Sequence, residues 1–453
     1  MHDVIVIGTG QAAPALATRL AKAGRRVLVV EKGDLGGTCV NTGCTPTKTL
    51  IASARAAHVA RTAGRLGVRC TVDVDFPAIV ARKDAIVQRW RSGVEKRLAR
   101  AAPNLELVRG HARFVGPREI EAAGQRYRAD TIVLNVGGRA VVPPIPGLDQ
   151  VPYLDHASVM ALRELPRHLI VLGGGYIGCE YAQMFRRFGA EVTVVDQAPH
   201  LMPREDDDVA AELDKVFRAE GISLVLGAKV ARVAKAGDDV VVTHGGGELR
   251  GSHLLVAVGR RPNSDDLGCD KAGVALDKRG FVVADERYRT TAEGVYALGD
   301  CIDQPQFTHV AWDDHRILYD ILAGDASRTR AGRHIPYTAF TDPQVAGVGL
   351  NEREAKAKNI KYELATMAFG DVARAIEVDE TAGIFKLLID PASERILGAT
   401  IVGCEAGELV HVFIALMQAH ASVRAVVDAE MVHPAFAEGL QSVAMRLPRF
   451  ALS

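Results

Sequence analysis

Net charge is absent from this chain: 55 Lys and Arg are offset by 55 Asp and Glu over 453 residues. That balance excludes a nucleic-acid partner or a polybasic membrane anchor as the basis of function. Cysteine is scarce, seven residues and an odd number, so no secreted disulfide framework is implied. Such a thiol content suits the cytosol, and a cytoplasmic location is expected. No run of about 18 apolar residues occurs, so no membrane span is predicted. No signal peptide is visible, because Met1-His2-Asp3 leads straight into the apolar run Val4–Ile7. Tryptophan appears only twice, and there is no low-complexity tract or disordered tail to read. His433 and Glu438 lack further ligands at zinc spacing, so no resident metal is expected. What remains is an ordinary globular protein, 48% apolar and too long for one core; two to four domains are expected.

Two stretches carry dinucleotide-binding chemistry. Val4–Ile7 reads as a buried parallel strand, and Gly8-Thr9-Gly10-Gln11-Ala12-Ala13 follows it, then an alanine-rich helix to about Ala23. This is G-x-G-x-x-A. Gly8 and Gly10 let the backbone turn and approach a pyrophosphate, and the small Ala13 lets helix pack on strand. A second strand, Arg26–Val30, ends at Glu31, 23 residues after Gly8, where a carboxylate binds an adenosine ribose hydroxyl. The pattern recurs at Leu169–Leu172, then Gly173, Gly175 and Gly178 as a full G-x-G-x-x-G, a helix to about Phe188, and a strand ending at Asp196. Asp196 again lies 23 residues after its first glycine. Equal internal spacing means two dinucleotides, naturally a flavin and a nicotinamide. The acid at the second ribose position favours NADH over NADPH, although Arg204 stands eight residues further on.

Between the first strand pair and the rest lies Gly36-Gly37-Thr38-Cys39-Val40-Asn41-Thr42-Gly43-Cys44-Thr45-Pro46-Thr47-Lys48. Two cysteines five positions apart, with Gly43 in a short loop between them, can bring their sulfurs together. The run from Lys48 reads as helix, and Pro46 fits its first turn. Cys44 then stands at a helix N-terminus, where unpaired N–H groups and the dipole favour a thiolate. Lys48 follows four residues on, on the same helix face.

This stretch resembles the active site of the flavoprotein disulfide reductases: glutathione reductase, dihydrolipoamide dehydrogenase and, most closely, the mercuric-reductase-like branch. The resemblance covers nearly the whole chain. It implies an α/β fold of two Rossmann-like domains, for FAD and NAD(P)H, with a C-terminal α+β dimerisation domain. The expected boundaries are 1–150 and 265–334 for the FAD domain, 151–264 for the NAD(P) domain and 335–453 for the last. It implies that Cys39 exchanges with substrate, Cys44 contacts the flavin, and Lys48 pairs with Glu180 beside it. Lys32, Gly37, Thr38, His111, Ala112 and Gly137 are implied in FAD binding, as are Asp300, on the ribityl chain, and the Gly259-Arg260 return signature. Tyr176 matches a tyrosine that covers the flavin until nicotinamide displaces it. His433-Pro434-Ala435-Phe436-Ala437-Glu438 matches H-P-x-x-x-E, with His433 the acid–base catalyst, oriented by Glu438 and reaching the opposite subunit of a homodimer. Histidine titrates near pH 6.5, which suits a thiol proton relay.

The implied enzyme passes electrons from nicotinamide through FAD to a Cys39–Cys44 disulfide and on to a metal-ion or disulfide substrate. Full mercuric reductases carry a vicinal cysteine pair at the C-terminus, whereas this chain ends Arg446–Ser453 without cysteine and shows no N-terminal metal-binding domain. Dihydrolipoamide dehydrogenase is the alternative; a non-catalytic binding flavoprotein is a third reading, opposed by the intact set of catalytic residues.

Overall fold

The computed structural model describes residues 2–325 and 327–450. The chain divides into two compact units. One comprises the chain up to Leu50 with Ala78–Val141 and Gly259–Arg333; the other comprises Ile51–Pro77, Val142–Val258 and the chain from His334 onward.

The first unit is built on a five-stranded parallel sheet ordered Val295–Ala297, Thr131–Leu134, Val4–Ile7, Val27–Glu31, Leu105–Arg109. The Val4–Ile7 strand is central, and no residue in it is more than 5% exposed. Covered on both faces, it must be apolar throughout rather than alternating. Helix Ala12–Lys22 packs back on the sheet through Ala12, Ala13, Leu16 and Ala17, all fully buried. Small residues at the start of that helix let its axis approach the strands closely. A long, charged helix spans Phe76–Ala99, and a small antiparallel sheet follows (Arg113–Gly116, Glu119–Ala122, Gln125–Arg128).

In the second unit a parallel sheet runs Ser223–Val225, Glu191–Val195, His168–Leu172, His253–Val256. Helix Tyr176–Phe188 follows the second glycine motif. An antiparallel meander of three strands separated by glycine-containing turns follows, Val230–Ala236, Asp239–His244 and Gly247–Gly251. Toward the C-terminus the period changes. Five antiparallel strands, ordered Tyr337–Ala339, Gln344–Gly349, Ile396–Gly403, Ile384–Ile389, Glu363–Ala368, carry helices Ala406–Gln418 and Glu438–Met445. Their shared core centres on Phe369, Phe385, Ile401 and Phe413, each at most 1% exposed. No helix among the described residues is long and apolar enough to cross a membrane.

Candidate active site

The cysteine stretch departs from the loop expected of it. Gly37–Asn41 is a short helix, so Cys39 sits on a helical turn and Cys44 is the first residue of helix Cys44–Thr62. The reason is a set of hydrogen bonds centred on Asn41. Asn41 donates its amide to the carbonyls of Leu35 and Gly37 (3.0 and 2.9 Å), Arg91 donates to its oxygen (3.0 Å), and Thr42 N–H closes on Thr38 O (2.9 Å). Gly43 then lets the chain double back, since a Cβ there would stand 2.9 Å from Thr38 O. Gly37, at φ +61°, backs onto Gly10, whose Cα would lie 2.8 Å from an added Cβ. The cysteine turn therefore rests directly on the first glycine motif.

Cys39 and Cys44 are both thiols, half-buried and exposed respectively. The Cys39 thiol is hydrogen-bonded to Cys44, and this contact, followed by burial, pushes its pKa up. The hydroxyl of Thr308 and the charge of Lys48 act in the opposite direction. Thr308 Oγ1 lies 3.0 Å from Cys44 Sγ, at the first residue of helix Thr308–Leu322. Cys39, Cys44, Lys48 and Thr308 thus converge within one unit. Thr308 is not among the residues that the sequence singled out. Its opening position on a helix was the available signal.

Around this turn the first unit fits a flavin dinucleotide. Helix Ala12–Lys22 has no side-chain N-cap and no acid in its first turn, leaving its N–H groups for a phosphate. Gly8 adopts φ +95°, and a Cβ there would stand 2.4 Å from Asn135 O. Glu31 closes the loop, accepting from Thr9 N (2.8 Å), Thr9 Oγ1 (2.6 Å) and Gly33 N (2.7 Å). Asn135 Nδ2 and Arg260 Nε are buried without a hydrogen-bond partner. Buried donors of this kind call for an acceptor. Asp300, expected on a ribityl chain, lies in the turn Gly299–Cys301 and receives Arg260 Nη1 at 2.5 Å. Gly259 (φ +131°) returns the chain into strand Arg260–Pro262, which pairs with Gly138–Ala140 just past Gly137. His111 and Lys32 both approach the Asp266 carboxylate (3.3 and 4.0 Å), and Ala112 is buried. Thr38 supplies its backbone to the cysteine turn. Gly8→Ala is expected to purify with flavin occupancy reduced by about tenfold or more, because the left-handed backbone and the Asn135 contact both oppose a side chain. The ratio of flavin to protein absorbance measures it, with circular dichroism reporting the fold.

The second motif fits a dinucleotide in the same way. Helix Tyr176–Phe188 is capped by Gly175 with no side-chain bond and no acid in its first turn. An added Cβ at Gly175 would meet nothing within 4 Å, which leaves room for a pyrophosphate against the backbone. Gly173 (φ +104°) and Gly178 are obligatory: Cβ atoms there would stand 2.5 Å from Ala257 O and 1.8 Å from Gly173 O. Asp196 receives Gly174 N (2.6 Å) and Ala198 N (2.8 Å), the counterpart of Glu31. Arg204 is exposed. Tyr176 donates to Glu205 Oε1 (2.7 Å) and stacks on Tyr337.

Glu180 is 6% exposed and accepts the Phe340 N–H at 2.8 Å. His433 Nδ1 lies 2.9 Å from Glu438 Oε1, while Glu438 Oε2 accepts Ala435 N at 2.8 Å. The Ala435 N–H, and after it His433, hold the Glu438 carboxyl below the usual range. A carboxylate on Nδ1 selects the tautomer whose Nε2 accepts a proton. The His433 side chain is 69% exposed, presented outward from its own chain. Cys179 and Cys301 are core thiols donating to Gly174 O (3.2 Å) and Leu298 O (3.1 Å). Among the described residues no group of His, Cys, Asp and Glu could hold a metal ion.

Two dinucleotide cradles, a cysteine pair set against the first and a separate antiparallel domain define a nicotinamide- and flavin-dependent oxidoreductase working through a thiol pair. Residues 2–314 match the pyridine nucleotide-disulphide oxidoreductase family and residues 335–444 its dimerisation domain, and the chain belongs to that family. Its enzymes use FAD and NAD(P)H, and so does this one. The chain is 33% identical to the probable pyridine nucleotide-disulfide oxidoreductase RclA of Escherichia coli over 98% of both chains. It is 34% identical to a dihydrolipoyl dehydrogenase of Thermus scotoductus, over 100% of this chain and 98% of that protein. Identity to a mercuric reductase of Streptomyces lividans is 35%, over 90% of this chain and 88% of the relative. A solved structure described as a Cu(II) complex of the HOCl-induced flavoprotein disulfide reductase RclA superposes with a TM-score of 0.90, at 33% identity and 98% coverage of each chain.

Proposed function

We propose that this enzyme takes electrons from NADH and delivers them through Cys44 and Cys39 to a metal-ion or disulfide substrate, in the manner of the mercuric-reductase-like branch. The observation carrying this reading is the convergence of Cys39, Cys44, Lys48 and Thr308 beside the flavin cradle. FAD, when bound, carries electrons from reduced nicotinamide to the disulfide. Cys44 is the thiol on the flavin side, stabilised as thiolate by the Cys39 thiol, the Thr308 hydroxyl and the start of its helix. Cys39 attacks the substrate. With a disulfide substrate a mixed disulfide forms and one thiolate leaves, taking its proton from His433; Cys44 then attacks Cys39 and the second thiolate departs. Lys48 and Glu180 each serve the flavin, and His433, held by Glu438, comes from the partner subunit of a homodimer. The Cu(II) complex of the RclA relative supports a metal ion as acceptor. The proposed domain boundaries are 150, 264 and 334, and the proposed compartment is the cytoplasm, where thiols stay reduced.

The test is turnover of the purified protein with NADH and NADPH against cupric and mercuric ions, lipoamide and glutathione disulfide. A metal ion or a non-lipoyl disulfide should be preferred by about tenfold or more in kcat/KM, with NADH ahead of NADPH because Asp196 repels a 2′-phosphate. Efficient dihydrolipoamide oxidation by NAD, with no metal reduction, would transfer the assignment to the dihydrolipoamide dehydrogenases. A higher kcat/KM with NADPH would reject the NADH preference and point to Arg204.

A further inference from the structure

The nicotinamide side of the molecule contains a buried carboxylate with two phenols on it. Glu205, 3% exposed, receives Tyr176 Oη on Oε1 at 2.7 Å and Tyr337 Oη on Oε2 at 2.6 Å. The two rings lie nearly parallel, 10° apart with centroids 5.6 Å apart. Burial pushes Glu205 up and the two phenol bonds hold it down, while both phenols are themselves pushed up.

Tyr337 and Glu205 are each fixed by the elements they stand on. Tyr337 belongs to the antiparallel sheet and pairs with Gly347 in register. Its ring lies over that glycine, where an added Cβ would stand 2.5 Å from the hydroxyl oxygen. Glu205 is tied at its own backbone to Met202, which in turn donates to Gly174 O of the second glycine motif. Its neighbours are fixed too. Asp206 accepts the N–H groups of Glu352 and Arg353 (3.1 and 3.0 Å) and the buried Lys386 ammonium (2.9 Å), and Asn351 donates to Arg204 O (2.9 Å). Tyr176 is the first residue of its helix and follows Gly175, where an added Cβ would meet nothing within 4 Å.

We propose that Glu205 and Tyr337 are positioning residues for the nicotinamide half of the reaction: they park the Tyr176 ring, leaving the mouth of the second dinucleotide motif open to the nicotinamide end of the substrate nucleotide. The proposal rests on the reading of Tyr176 as the aromatic at that end. A phenol bonded to a carboxylate and stacked on a second ring has few alternative rotamers, so the nucleotide does not have to displace it from a broader ensemble. Glutamate suits the position because an ionised carboxyl accepts from both phenols at once, whereas an amide presents one acceptor oxygen.

The experiment compares Tyr337→Phe, Glu205→Gln, Glu205→Leu, Gly347→Ala and Tyr176→Phe in the flavin-loaded enzyme, reading KM and kcat for NADH and, by calorimetry, the dissociation constant of NAD. Glu205→Leu and Tyr176→Phe are expected to raise KM and the dissociation constant together by about tenfold with kcat changed by less than about twofold, the size of a lost hydrogen bond to a charged group. Tyr337→Phe, Glu205→Gln and Gly347→Ala should fall between these and the wild type; Gly347→Ala removes neither hydroxyl and acts by displacing the Tyr337 ring and its hydroxyl. Should Glu205→Leu not fold, Tyr337→Phe, which loses one oxygen, decides alone. If Tyr176→Phe shifts both constants while Tyr337→Phe and Glu205→Gln leave them unchanged, the positioning role is wrong. If Tyr176→Phe and Tyr176→Ala leave both unchanged, the reading of Tyr176 itself fails and the proposal with it.

Discussion

Replacing Cys44 with serine is expected to lower NADH-dependent substrate reduction by more than about a thousandfold, the scale on which loss of a covalent nucleophile acts. It should also abolish the long-wavelength thiolate-to-flavin absorbance that anaerobic two-electron reduction otherwise produces. Three groups aim at this sulfur or set its charge: the Cys39 thiol, the Thr308 hydroxyl at 3.0 Å and the N-terminus of helix Cys44–Thr62. A serine hydroxyl in the same place cannot ionise at neutral pH and cannot close a disulfide. Cys39→Ser provides the contrast. Its turnover is lost to the same extent, yet Cys44 then has no disulfide partner and keeps its Thr308 and helix donors. The band should therefore appear in that variant before any reductant is added. Retention of the band by Cys44→Ser, or its absence from Cys39→Ser, would reverse the roles of the two thiols.

Mixing two inactive proteins, Cys39→Ser and His433→Ala, under conditions of subunit exchange is expected to restore about a quarter of wild-type activity. Random exchange makes half of the dimers mixed, and one of the two sites in each mixed dimer then has both cysteines from one chain and the histidine from the other. The dimerisation domain spans residues 335–444 and contains His433. His433 is held through Nδ1 by Glu438 and has its side chain 69% exposed, as suits a base presented to another chain. Sites completed within one chain predict no recovery at all, since every site would lack one group. Mass spectrometry of the exchanged population establishes that mixing took place; no recovery after it would remove His433 from a shared site.

The sequence by itself determined both dinucleotide cradles, the cysteine pair and the His433–Glu438 couple. Each is local. Glycines that must adopt φ +95° at Gly8 or +104° at Gly173, or clear a carbonyl by the absence of Cβ at Gly178, leave a mark within a few residues of the strand and helix they join. His433 and Glu438 lie five residues apart and meet across one turn of chain. Strand type was legible for the same reason: a sheet buried on both faces demands unbroken apolar runs, and Val4–Ile7 and Leu169–Leu172 are such runs. Tertiary structure decided what depends on residues far apart in the chain. Thr308 reaches Cys44 across 264 positions, and Tyr337 reaches Glu205 across 132. No periodicity or spacing encodes such a meeting, because it is set by how sheets and helices pack. The short helix at Gly37–Asn41 belongs with these, since Arg91 from a distant helix holds the oxygen of Asn41 while its amide closes the turn. A hydrogen-bonded turn of five residues has too little propensity of its own to form without such support.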